Sequence, residues 1–142
     1  MAQQFEDLND YETASYFYKK CLDASIDAKY VIGEAEAYKG LGICEEKVLN
    51  IFNAMSNLET ALQKVIDGNI PKIQKDISQE LVRVYQIIAV SFQDQNDFDK
   101  SLQFFQKCLD ASKRAENKTQ EAECYQKIGH IYERQADLEK AI

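Results

Sequence analysis

The sequence predicts an all-α fold, and three observations predict it. A single proline, Pro71, and five glycines are the only strong breakers in 142 residues. That is too few for the many turns of a sheet protein, while long helices need few. Residues 9–46 lie on residues 96–133 without a gap at an offset of 87, so that Cys21-Leu22-Asp23-Ala24-Ser25 recurs as Cys108-Leu109-Asp110-Ala111-Ser112. Residues that cap helix N-termini well recur in phase with this repeat, at Asp10, Asn50, Asp97 and Asp137.

An offset of 87 is too long for one helix pair, and a diverged unit lies between the two copies. Val82 to Ala115 carries Tyr85, Ile88, Ala89, Phe92, Phe98, Phe105 and Leu109 at the same relative spacings. Counting from Ala35, Val82 and Ala122 as unit origins, the units are 47 and 40 residues long. The expected organisation is one array over 1–142: a partial unit over 1–34 (mostly its second helix), units over 35–81 and 82–121, and a partial unit over 122–142.

The elements follow in order. A remnant of a first helix covers about 2–8 and its partner about 10–29, with Asn9 suited to the left-handed turn between them. Helices are expected near 34–48 and 51–67. The longest interruption, a loop near 67–71, is expected to absorb most of the seven extra residues of its unit. Pro71 is acceptable in the first turn of a helix, so the next helix can open there instead of at Ser78. Asn96 suits another left-handed turn, and helices near 98–115 and 119–135 follow, the latter capped by Thr119. Asp137 would then start a further helix.

Within each unit the residue types suit a close helix seam. The fourth residue is Tyr38, Tyr85 and Tyr125; the seventh is Leu41, Ile88 and Ile128; the eighth is Gly42, Ala89 and Gly129. Phe92 and Tyr132 match as aromatics where the first unit has Glu45. In the second helices, Ala14, Ala54, Ser101 and Ala141 form one small-residue position, and Cys21, Ala61 and Cys108 another. Small residues let two backbones approach while the bulky ones fill the seam. This phased set resembles the tetratricopeptide repeat family, in a long form of about 40 residues, over essentially the whole chain. The resemblance implies a right-handed superhelical solenoid of antiparallel helix pairs.

Composition limits the function. The net charge is −7 with a pI near 4.8; no basic stripe exists to displace counterions, so nucleic acid is not an expected partner. No apolar run reaches the length of a membrane span and no secretory signal opens the chain, so a cytoplasmic protein is expected. The sequon Asn117-Lys118-Thr119 is discounted for the same reason. The four cysteines contain no Cys-x-x-Cys pair and there is one histidine, so no metal site is expected. Cys21 and Cys108 read as small buried packing residues. His130 has no nucleophile or carboxylate placed by spacing to form a triad, and there is no phosphate-binding glycine loop. No enzyme activity and no cofactor are expected.

The resemblance also places a binding face. First-helix side chains line the inner surface of such arrays: Glu36, Lys39, Gly40, Ile43, Glu46 and Lys47 in one unit, Arg83, Gln86, Ile87, Val90, Gln93 and Asp94 in the next, and Glu123, Gln126, Lys127, His130, Glu133 and Arg134 in the last. The site residues expected from this set are Lys39, Ile43, Glu46, Lys47, Arg83, Gln86, Ile87, Val90, Asp94, Gln126, Lys127, His130 and Arg134. Five bases and five acids balance across the full set, and Ile43, Ile87 and Val90 give it an apolar centre. An extended or helical segment of another protein suits such a face. Chaperone-binding members of the family clamp a C-terminal carboxylate with Lys and Asn, then Asn, then Lys and Arg. Here Lys39 is followed by Ile43, Ile87, Glu123 and Lys127, so that clamp is not implied.

A protein-interaction scaffold is therefore expected, with a cytoskeletal or ciliary setting suggested by resemblance to repeats of this length opening on Glu-Ala. The alternative is the regulatory repeat region of a larger enzyme whose catalytic domain lies outside this chain. Both ends are expected to expose a seam, at Phe5 and at Tyr132 and Leu138. This would make the chain a piece of a longer array or drive end-to-end self-association.

Overall fold

The computed structural model describes residues 10–141. Among them are six helices and no strand: α1 (Tyr11–Asp27), α2 (Val31–Lys47), α3 (Ile51–Asp67), α4 (Pro71–Asp94), α5 (Phe98–Arg114) and α6 (Lys118–Ala141). The expected helix over 2–8, the Asn9 turn and the Phe5 seam lie outside the described residues.

All five joints have the same construction. Each is three residues long, and its middle residue is left-handed: Lys29, Leu49, Asn69, Asn96 and Glu116, with φ between 55 and 67°. The third residue sends its N–H back to the carbonyl five positions earlier. Tyr30 reaches Ser25, Asn50 Glu45, Ile70 Val65, Asp97 Phe92 and Asn117 Ser112, all at 2.8–2.9 Å. This double closure satisfies the last carbonyls of one helix and turns the chain directly into the next. Asn96 sits in its expected left-handed turn.

The caps agree with the sequence at two places, and at a third by position alone. Asp10 accepts from the Thr13 N–H at 3.2 Å and Asp97 from the Lys100 N–H at 3.4 Å. Asn50 stands at the cap position but turns its amide to Glu45 Oε2, 2.9 Å away. Two expectations are corrected. Asn117, not Thr119, caps α6, accepting from the Gln120 N–H at 3.1 Å, and Thr119 lies inside the first turn. Asp137 starts no helix, because α6 runs unbroken through it. Ala136 stands where the joint would need a left-handed residue, and alanine is the strongest helix former.

The long loop near 67–71 is also absent. The joint at 68–70 is as short as the others, and the extra length is helical, since α4 opens on Pro71 and runs 24 residues. The proline lacks an N–H exactly where a helix has no use for one.

Two compact units divide the chain inside α4, the first ending at Glu80 and the second beginning at Leu81. In the first, α2 packs against both α1 and α3, around buried Ala14, Ala35, Ala37, Leu41, Ala54, Leu58, Ala61 and Val65. A Cβ on Gly42 would fall 2.7 Å from Leu58 Cγ and 3.2 Å from the Ala54 carbonyl, which accounts for glycine there. Lys64 of α3 closes the same seam with an ion pair to the nearly buried Glu34 of α2, at 3.2 Å.

Near the end of this unit, Ser78 is fully buried and its hydroxyl has no hydrogen-bond partner among the described residues. Burying an unpaired hydroxyl is costly. Ser78→Ala is expected to raise the unfolding free energy by about 1 kcal/mol in urea titrations; a loss of stability would mean that the hydroxyl is bonded in solution.

In the second unit the α4 residues from Leu81 on pack with α5 and α6 around Ala89, Phe98, Phe105 and Ile131. Ser101, fully buried, donates to the Ala89 carbonyl at 2.8 Å, and Cys108 Sγ to the Val82 carbonyl at 3.5 Å. The small residues of α5 thus sit directly on the α4 backbone. Gly129 of α6 does not share this role: a Cβ there would meet nothing within 4 Å. Cys21 likewise departs from expectation, being exposed where Ala61 and Cys108 are buried.

Candidate partner-binding face

The expected binding residues fall into rows along three helices. On α2, Lys39 and Ile43 are half-buried and Lys47 is exposed, but Glu46 is buried and offers a partner little surface. Gly40, expected on the same face, lies against the Tyr18 ring, close enough that a Cβ would collide with it.

The second unit holds the other two rows. On α4, Arg83 and Asp94 are exposed, Gln86 is half-buried, and Ile87 is 42 % exposed, a large aliphatic in water. Val90 is only half exposed because it packs on the core beside Leu102 and Phe104. On α6, Gln126, His130 and Arg134 are exposed and Lys127 is half-buried. His130 Nδ1 lies 3.3 Å from Glu133 Oε1. Arg134 reaches back to the α4–α5 joint, donating to Asn96 Oδ1 at 3.3 Å while its guanidinium lies over the Phe98 ring at 5.8 Å.

The α4 and α6 rows meet. Gln86 of α4 and Gln120, Glu123 and Lys127 of α6 line one narrow crevice, with Phe105, Cys108 and Cys124 as its other walls. Polar side chains of either sign therefore border a seam with an exposed isoleucine close by on α4. Along these rows His130 and Glu133 form an exposed acid–base contact. Among the described residues no group of three His, Cys, Asp or Glu could hold a metal ion, and no helix is long and apolar enough to cross a membrane.

Two features escaped the sequence reading. An open cleft in the first unit, between α1 and α2, is lined by Tyr11, Tyr16, Lys19 and Glu45; the signal was Glu45, which replaces the aromatic of the other units. The second is a contact between Cys108 and Cys124, whose sulfurs are 3.2 Å apart. It was legible only as a cysteine, Cys124, standing where the matching unit has Ala37.

Helix pairs joined by uniform short turns, packed through small residues, with rows of exposed polar and apolar side chains, define a helical-repeat protein. Sequence comparison agrees with this class: the tetratricopeptide repeat model matches residues 80–142, so that part of the chain is similar to this family. Repeats of this family mediate protein–protein interaction. The whole chain is also similar to Tetratricopeptide repeat protein 29 of Trypanosoma brucei brucei (strain 927/4 GUTat10.1), 22 % identical over 142 residues. It spans only 29 % of that relative's length. The crystal structure of BtubC (BKLC) from P. vanneervenii has a similar fold, with a TM-score of 0.57 and 17 % identity, over 99 % of this chain and 55 % of that one.

Proposed function

We propose that residues 81–142 bind an extended or helical segment of another protein across the α4 and α6 rows. The observation that carries this reading is the shared crevice: Gln86, Glu123 and Lys127, from two separate helices, border one seam. Arg83, Asp94, Gln126 and His130 extend the two rows, and Ile87 supplies an exposed apolar anchor. Apolar anchors rimmed by polar groups of both signs are how peptide-binding grooves combine affinity with register. Lys39, Ile43 and Lys47 on α2 are assigned the same kind of contact in the first unit. A cytoskeletal or ciliary assembly remains the setting we favour, on the length of the repeat and its Glu-Ala opening.

The test is affinity capture with the native chain and with an Ile87→Asp, Lys127→Glu double variant, after circular dichroism has shown both to be equally helical. Both positions are at least partly exposed, so the fold should survive. The reading expects the variant to hold its specific partners about tenfold more weakly or worse. Partners retained at full strength by a folded variant would move the binding site elsewhere.

A further inference from the structure

We propose that Cys108 and Cys124 form a paired-thiol modification site that a hydroperoxide closes to an intramolecular disulfide, joining α5 to α6. The two sulfurs are 3.2 Å apart, so forming the bond needs an approach of about 1.2 Å. Both side chains are buried, at 1 and 3 % exposure, so the partner thiol is held in place and does not have to be found by diffusion. Both cysteines line the tight seam bordered by Gln86, Gln120, Glu123 and Lys127, which is closed to a water-sized molecule, so the peroxide enters when the α5–α6 seam opens locally.

The hydrogen bonds arrange the pair asymmetrically. Cys124 donates to Cys108 Sγ, and Cys108 donates to the Val82 carbonyl. The Ser112 hydroxyl lies 3.9 Å from Cys124 Sγ. When Cys124 ionises, the Cys108 thiol can turn its hydrogen to it. That bond lowers the Cys124 thiol to about 7 against the desolvation that opposes it. Cys108 moves the other way, raised by the same bond and by burial. Cys124 is thus the thiolate that attacks first, and Cys108 the resolving thiol.

The chemistry balances with one hydroperoxide. The Cys124 thiolate attacks the terminal peroxide oxygen; the O–O bond breaks, and the departing oxygen takes a proton to leave as water or alcohol. The resulting sulfenic acid is attacked by Cys108 sulfur; the S–S bond forms, the S–O bond breaks, and water leaves with the Cys108 proton. Two thiols lose two electrons and the peroxide gains them.

The other copy of the repeat supplies a natural control. Cys21 and Ser25 stand where Cys108 and Ser112 stand, but Ala37 replaces Cys124, so that seam holds one thiol only. Ala37 is fully buried and its seam is intact. The second thiol is therefore not something the packing requires.

The experiment treats the folded chain, carrying Cys21→Ser to remove the exposed thiol, with hydrogen peroxide and maps its peptides without reduction. The expected product is a single cross-link between the Cys108 and Cys124 peptides, two hydrogens lighter, with a higher thermal midpoint that reverts on reduction. Cys124→Ala, which copies the sound packing around Ala37, should keep the helical spectrum and lose both the cross-link and the midpoint shift. A second probe, phenylarsine oxide, should bind once per chain and not at all to Cys124→Ala. A folded chain whose Cys108 and Cys124 stay reduced, overoxidise singly, or link only after unfolding would overturn the proposal.

Discussion

Phe105→Ala is expected to remove about 3–5 kcal/mol of stability, the largest loss from any single truncation in the second unit. Phe105 is 1 % exposed and lies in the cluster of Ala89, Phe98 and Ile131, so contacts from all three helices of the unit are lost at once. The hole cannot collapse easily: Ser101 and Cys108, on the same helix, are bonded to the α4 backbone and hold α5 at a fixed distance. Domains of this size are stable by only about 5–15 kcal/mol, so the variant should lose much of its urea midpoint and show raised amide exchange in α5. A loss below about 1 kcal/mol would mean that the ring is not the centre of this core.

The two matching glycines should respond to alanine with opposite signs. Glycine inside a helix costs about 1 kcal/mol relative to alanine, and Gly129 has nothing within 4 Å of an added Cβ. Gly129→Ala should therefore stabilise the chain by about that amount. Gly42→Ala gains the same propensity, but its Cβ meets Leu58 Cγ at 2.7 Å and the Ala54 carbonyl at 3.2 Å. Leu58 is fully buried and has no room to retreat. A net loss of about 1–2 kcal/mol is expected. Equal effects at the two positions, measured by chemical denaturation, would contradict the difference in packing.

These two glycines also show what the sequence could and could not say. They occupy the same register, and small size at that register correctly marked the α2–α3 seam. Spacing alone could not tell that only one of them is covered, because cover depends on a helix beginning after Asp137. The cap residue was present there, but Ala136 before it has no ease in the left-handed region. At the joints that do form, a polar residue or a following proline was enough to place helix starts within a few residues, and Asn96 marked its own turn. Leu49 carried no such mark, and its left-handed backbone is imposed by the helices on either side.

The candidate site rests on less. The family resemblance assigned side chains to an inner face, which is why Gln86, Ile87 and Lys127 stood together as candidates. Depth was the missing coordinate. Glu46 is buried and Val90 is partly absorbed by the core around Leu102 and Phe104, and neither fact can be read from a position along one helix. The thiol pair needed a contact between two residues sixteen apart on different helices, which no local pattern encodes.

The unbroken run of α4 bears on how this protein can be dissected. The family match opens at residue 80, whereas the helix that holds this residue opens at Pro71. A fragment trimmed to the match would begin about two and a half turns into a helix. It would discard buried Ile77 and leave buried Leu81 and Val82 in a first turn whose N–H groups have no acceptors. The edge of the family pattern and the edge of the folding element are different places. A fragment that starts at the proline keeps the α4 helix whole.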